Sequence, residues 1–147
     1  MRAGPLPTMS LPAVFVLASA AIIFALGAIH LLYTFSGRKL TPRDPALQTA
    51  MAQVSPVLTR QTTMWKAWIG FNASHSMGAL LFGLVYGWFA LVSPAQLFAS
   101  WFLLAVGFAM LAGLAALGRA YWFSVPFRCI CVAFACYVGA FFASRLG

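Results

Sequence analysis

From Leu11 to Phe35 the chain runs without a single charged residue, and three more long, predominantly apolar runs follow. A helix needs about 20 predominantly apolar residues to cross the hydrocarbon core of a bilayer, and each run is long enough. They extend over about residues 11–35, 65–92, 95–117 and 125–144. The first would reach roughly 37 Å at 1.5 Å per residue, enough to cross with some tilt. Of the 147 residues, 63% are hydrophobic and 7% charged. That leaves no polar exterior for a water-soluble core of this length. The expected fold is therefore all-α, four transmembrane helices in an up-down-up-down bundle forming a single membrane domain.

Punctuation between the runs supports this division. Ser93-Pro94 and Ser124-x-Pro126 are helix-start signals, a capping hydroxyl followed by an early proline. Arg2 ahead of an apolar stretch, with Ala18-Ser19-Ala20 beyond it, has the look of a signal peptide. The apolar sequence continues to Phe35, however, so a retained span is expected.

Nine Lys and Arg face a single acid, Asp44. The cations form no stripe with interleaved aromatics, so nucleic acid is not the expected partner. Topology explains them better. Arg38, Lys39, Arg43, Arg60 and Lys66 border the first loop, and Arg119 and Arg128 the third connection, against only Arg2 and Arg145 on the other side. The positive-inside rule then puts the first and third loops in the cytoplasm of a bacterial inner-membrane protein, with both termini outside, in the periplasm.

The first loop, about residues 36–64, carries its own pattern. Thr41-Pro42-Arg43-Asp44-Pro45 predicts a turn with Asp44 capping a short helix, on which Leu47, Met51 and Val54 share one face. Ser55-Pro56 predicts a second start leading toward the next span. The expected result is an amphipathic hairpin in the cytoplasmic interface, apolar side down, with Arg38, Lys39 and Arg43 near lipid phosphates. Arg119 and Arg128 flank an aromatic segment, Tyr121-Trp122-Phe123, and are the other candidate headgroup contacts beside Arg43. Trp65, Trp68, Trp88, Trp101 and Trp122 lie near span ends, where interfacial anchors belong.

Small residues repeat at close-packing intervals: Gly83 and Gly87, Ala109 and Gly113, Gly139 and Ala143. These are the expected contact faces of the bundle or the seam of a homo-oligomer.

Strongly polar groups inside the spans gather at one depth. His30 lies near the cytoplasmic end of the first span, and Asn72, Ser74, His75 and Ser76 lie in the first half of the second. Steps of three and four put Trp68, Asn72, His75, Ser76 and Ala79 along one stripe. A hairpin joining the two spans brings His30 opposite His75, with Gly27 leaving room beside it. Two functions fit such a cluster. The preferred one is polar contact between helices, in a non-catalytic protein that binds lipid or a membrane-protein partner. The alternative is a redox protein holding haem or quinone, with His30 and His75 as axial ligands.

Other chemistries lack their parts. The spans contain no carboxylate for a di-metal site, a proton relay or a catalytic triad. A closed zinc site needs four ligands, and the two histidines are far in sequence from Cys129, Cys131 and Cys136. Those cysteines contain no CxxC and form no disulfide framework.

Gly27-Ala28-Ile29-His30-Leu31-Leu32-Tyr33-Thr34-Phe35 and Gly70-Phe71-Asn72-x-Ser74-His75-Ser76-x-Gly78 together resemble a family of small bacterial four-helix membrane proteins, and the format is loosely similar to DoxX-like proteins. The resemblance covers most of the chain. It implies an inner-membrane four-helix protein and points to His30, Asn72, Ser74, His75 and Ser76, without implying an activity.

Overall fold

The structure is a computed structural model that describes residues 9–146. Arg2, counted above on the outer side, lies outside them. Among the described residues there are six helices and no strand: α1 Leu11–Phe35, α2 Pro45–Gln53, α3 Met64–Val92, α4 Pro94–Ala99, α5 Trp101–Tyr121 and α6 Ser124–Leu146. Four of them, α1, α3, α5 and α6, are long and apolar enough to cross a membrane. The chain is thus an all-α multi-pass membrane protein.

The third span begins later than the serine–proline signal implies. Pro94 does open a helix, but that helix ends at Ala99, and Ser100 starts another by accepting a hydrogen bond from Leu103 N on Oγ at 3.2 Å. Both segments are apolar, so hydropathy alone could not reveal the break. A capping hydroxyl offered to the backbone competes with continuation of the helix, and here it wins.

The residues divide into two compact units. The first comprises α1 as far as Phe24 and everything from Leu81 onward. Within it, α5 turns Leu104, Gly107, Leu111, Leu114 and Gly118 inward, and α6 turns Ile130, Ala133, Tyr137 and Ala140 inward, each series in steps of three and four. α1 supplies Ala13, Val16, Ala20 and Ile23, all buried, and α3 supplies Phe82, Tyr86 and Ala90. Within this unit, segments of the four long helices touch one another in turn. At Gly83 a Cβ would sit 2.5 Å from Phe24 Cβ and 2.9 Å from the Ala20 carbonyl, so α1 and α3 touch backbone to backbone there. Tyr86 of α3 donates to the Leu103 carbonyl of α5 at 2.7 Å. Tyr137 of α6 donates to the Leu104 carbonyl at 3.1 Å and more weakly to Leu103 at 3.4 Å. Gly139 of α6 faces the Phe15 ring of α1.

The glycine pattern is only partly used as expected. Gly83 makes the close approach, whereas Gly113 has nothing within 4 Å and lies with Ala109 on the exposed side of α5. The inward stripe of α5 runs through Leu104, Leu111 and Leu114, and residues two positions away from Leu111 point elsewhere on a helix of 3.6 residues per turn. Gly107 is the small residue that α5 needs instead, because it leaves room for the rings of Tyr86 and Tyr137.

The second unit, Ala25–Leu80, holds the end of α1, the first loop with α2, and the beginning of α3. α1 stops at Phe35, and Gly37, with φ of +82°, makes the reversal that an L side chain would resist. α2 is capped as the sequence implies, Asp44 Oδ1 accepting from Ala46 N at 2.9 Å. It ends at Gln53, however, so Val54 is its C-cap rather than part of its face. Ser55-Pro56 opens a turn, closed by Thr59 N donating to the Pro56 carbonyl at 3.2 Å, and no helix follows until Met64.

Candidate functional site

The polar residues of α1 and α3 meet inside the second unit. Asn72 Nδ2 donates to the Trp68 carbonyl one turn back at 2.8 Å, which turns Oδ1 of the same amide toward α1. His30 Nε2 donates to that Oδ1 at 2.9 Å. An amide oxygen can only accept, so the bond requires the proton of His30 to sit on Nε2. Both faces of the Asn72 amide are thereby engaged, one within α3 and one across to α1. Between helices in lipid, where apolar surface supplies no net drive, such a bond contributes roughly 0.6–2 kcal/mol.

Gly27 lies one turn before His30 and makes the approach close enough. A Cβ there would lie 2.8 Å from Ala79 Cβ and 3.0 Å from the Ser76 carbonyl. The absence of a side chain at Gly27 and the small Ala79 set the separation at which the imidazole reaches the amide. Ser76 is fully buried and returns its hydroxyl to the Asn72 carbonyl at 2.8 Å, within its own helix. Thr34 does the same toward the His30 carbonyl, at 2.8 Å.

His75 stands beside this bond, its ring centroid 5.6 Å from that of His30 and the two planes 79° apart. It is exposed at the protein surface, as is Ser74, whose hydroxyl donates to the Phe71 carbonyl at 3.1 Å. Of the five residues singled out from sequence, His30, Asn72 and His75 are thus neighbours across α1 and α3, Ser76 lies beneath them, and Ser74 faces away. Among the described residues no three His, Cys, Asp or Glu side chains come together.

A haem ligated through His30 Nε2 would have to displace the bond to Asn72. The backbones of α1 and α3 also touch at Gly27, one turn away, so that a macrocycle between the two helices would have to part them there.

One contact that the sequence does not signal extends the site toward the loop. The Trp68 indole Nε1 donates to the Leu40 carbonyl at 2.9 Å, across 28 residues. It fastens the turn after α1 to the first turns of α3. Arg43, Arg119 and Arg128 are all exposed, and Arg119 occupies the last turn of α5, where a cation is favoured by the helix dipole. Arg145, read from sequence only as an outer charge beside Arg2, has a definite place: its guanidinium carbon lies 4.5 Å from the centroid of the Trp101 ring, and Nη2 donates to the Phe98 carbonyl at 3.4 Å.

No family profile, no characterised protein sequence and no solved structure shows significant similarity to the chain.

Proposed function

We propose that this is a non-catalytic inner-membrane protein that binds lipid through the loop between α1 and α3, with that loop on the cytoplasmic side and both termini in the periplasm. His30, Asn72 and His75 serve as polar ties between α1 and α3, a reading supported by the closed hydrogen bonding around Asn72. The similarity of the His30 and Asn72–His75 segments to small four-helix and DoxX-like membrane proteins belongs to the same reading.

The observation that carries it is the apolar edge of the loop. Val57 and Leu58 are 109% and 94% exposed, and Leu47 and Val54 of the same loop are exposed as well. Nothing in α2 is buried. A loop that exposes its apolar side chains while carrying Arg38, Lys39, Arg43 and Arg60 has the composition of a segment lying on an anionic membrane surface.

The test is topological. With Cys129, Cys131 and Cys136 replaced by alanine, Thr59→Cys and Gln96→Cys are treated with a membrane-impermeant maleimide in sealed vesicles. Thr59→Cys is expected to react only in inside-out vesicles and Gln96→Cys only in right-side-out ones. The reverse pattern would overturn the orientation. For the contact with lipid, Leu58→Cys bearing an environment-sensitive fluorophore should shift to the blue on transfer from detergent into phosphatidylglycerol nanodiscs; an unchanged emission would refute it.

A further inference from the structure

Where α1 ends and α3 begins, the turn around Gly37 and the side of α2 enclose a cleft of about 330 Å³. Its walls include Tyr33, Arg38, Gln48, Trp65, Trp68 and Asn72. The volume falls at the lower end of the range of small-molecule sites, about 300–1,000 Å³.

Most of the polar lining is already satisfied. Asn72 holds His30 and the Trp68 carbonyl, and the Trp68 indole holds the Leu40 carbonyl. The Arg38 carbonyl takes both the backbone N–H and the hydroxyl of Thr41. These bonds shape the walls before any ligand arrives, so little ordering cost remains for binding. Arg38 is different, for it brings a cation to this lining. Asp44, the sole acid of the chain, is engaged at the start of α2 and does not line the cleft. Among the described residues, then, Arg38 lines the cleft and no carboxylate does.

A cation without a counter-ion, an amide at Gln48 and two indole rings, placed at the end of one membrane helix and the start of the next, define the kind of occupant. It carries an anion at headgroup level, hydrogen-bonding groups beside that anion, and a body that suits amphipathic rings. Guanidinium binds phosphate oxygens with paired N–H groups, and Trp is enriched at the headgroup level of a bilayer. We infer that the cleft is a binding site for the headgroup of an anionic phospholipid, with Arg38 taking the phosphodiester, Gln48 the polar substituent beyond it, and Trp65 and Trp68 flanking the glycerol. This rests on the lipid-binding reading above and narrows it to one site and one class of lipid.

The experiment uses the whole protein in mild detergent. Dihexanoyl phosphatidylglycerol, dihexanoyl phosphatidylcholine and inorganic phosphate are each titrated, read by tryptophan emission and by the number of lipids retained in native mass spectrometry. Wild type should retain one phosphatidylglycerol and bind it at least about tenfold more tightly than phosphatidylcholine, the scale of one charge-assisted contact. Arg38→Gln should lose that preference, and Gln48→Leu should weaken binding to a smaller extent. Arg60→Gln, a loop cation outside the cleft, should bind as wild type does. Both Arg38 and Arg60 are exposed, so these variants keep the fold.

Equal affinity for the two lipids, wild-type affinity in Arg38→Gln, or an equal loss in Arg60→Gln would overturn the site. Binding of inorganic phosphate as tight as that of phosphatidylglycerol would overturn the assignment to lipid. A protein that fails here yet shows the blue shift of fluorophore-labelled Leu58→Cys in phosphatidylglycerol nanodiscs loses the cleft and keeps its membrane-lying loop. An unchanged Leu58→Cys emission removes the broader lipid-binding reading.

Discussion

His30 and Asn72, 42 residues apart in sequence, are joined by a single hydrogen bond of 2.9 Å between an imidazole N–H and an amide oxygen, and that bond crosses from α1 to α3. Its weight can be measured.

His30→Leu leaves the Asn72 oxygen without its donor, and Asn72→Leu leaves the His30 proton without its acceptor. Each should lower stability by about 1 kcal/mol, seen as an earlier thermal transition in detergent. The double variant His30→Leu/Asn72→Leu should cost less than the two singles together, because neither orphan remains. A sum that is simply additive would mean that the bond contributes nothing.

Gly83→Leu should be much more disruptive than Gly113→Leu, although both residues belong to small-residue pairs of the same spacing. At Gly83 the new side chain meets Phe24 and the Ala20 carbonyl, and relieving the overlap means parting two backbones, a cost of about 1–3 kcal/mol. At Gly113 it meets open space and should change stability by no more than about 0.5 kcal/mol. Comparable losses at the two positions would show that the exposed side of α5 is covered in the membrane.

Tyr86→Phe should cost about 1 kcal/mol and Tyr137→Phe a similar amount, the usual net worth of a hydrogen bond whose ring stays in place. The rings do stay. Phe82 stacks on Tyr86 at 4.5 Å between centroids, and Tyr86 meets Tyr137 edge to face at 5.8 Å. Unchanged unfolding of the double Phe variant would show that the hydroxyls are dispensable.

The parts of this architecture that could be read from sequence are those that depend on one residue and its near neighbours. Each of the four apolar runs holds one long helix, and α1 spans Leu11–Phe35 as its hydropathy implies. The Asp44 cap depends on two residues and could be read as well. The meeting of His30 with Asn72 and His75 was accessible for a different reason: consecutive helices of a hairpin place equal depths side by side, so polar groups at matching distances from the loop become neighbours. Spacing alone failed at Gly113, because a four-residue interval says that two small residues share a face and not which way that face turns. Nor could it show that Ser100 interrupts the third span, since an apolar helix and an apolar kink have the same composition.

The cleft and the Trp68–Leu40 contact had no signal in the sequence. They depend on the path of the chain through Gly37, where one positive φ sends the backbone back across the end of its own helix. Tyr86 and Tyr137 were equally silent. Their acceptors are backbone carbonyls, and every residue offers one.

That last arrangement bears on where α6 can dock. Tyr137 gives an otherwise apolar helix face one buried hydroxyl. The acceptors it meets are the Leu103 and Leu104 carbonyls in the first turn of α5. A helix that packs in another register keeps an unmatched polar group among apolar side chains, whereas this one buries the group against a partner. The seat of α6 is thus proof-read by a single phenol.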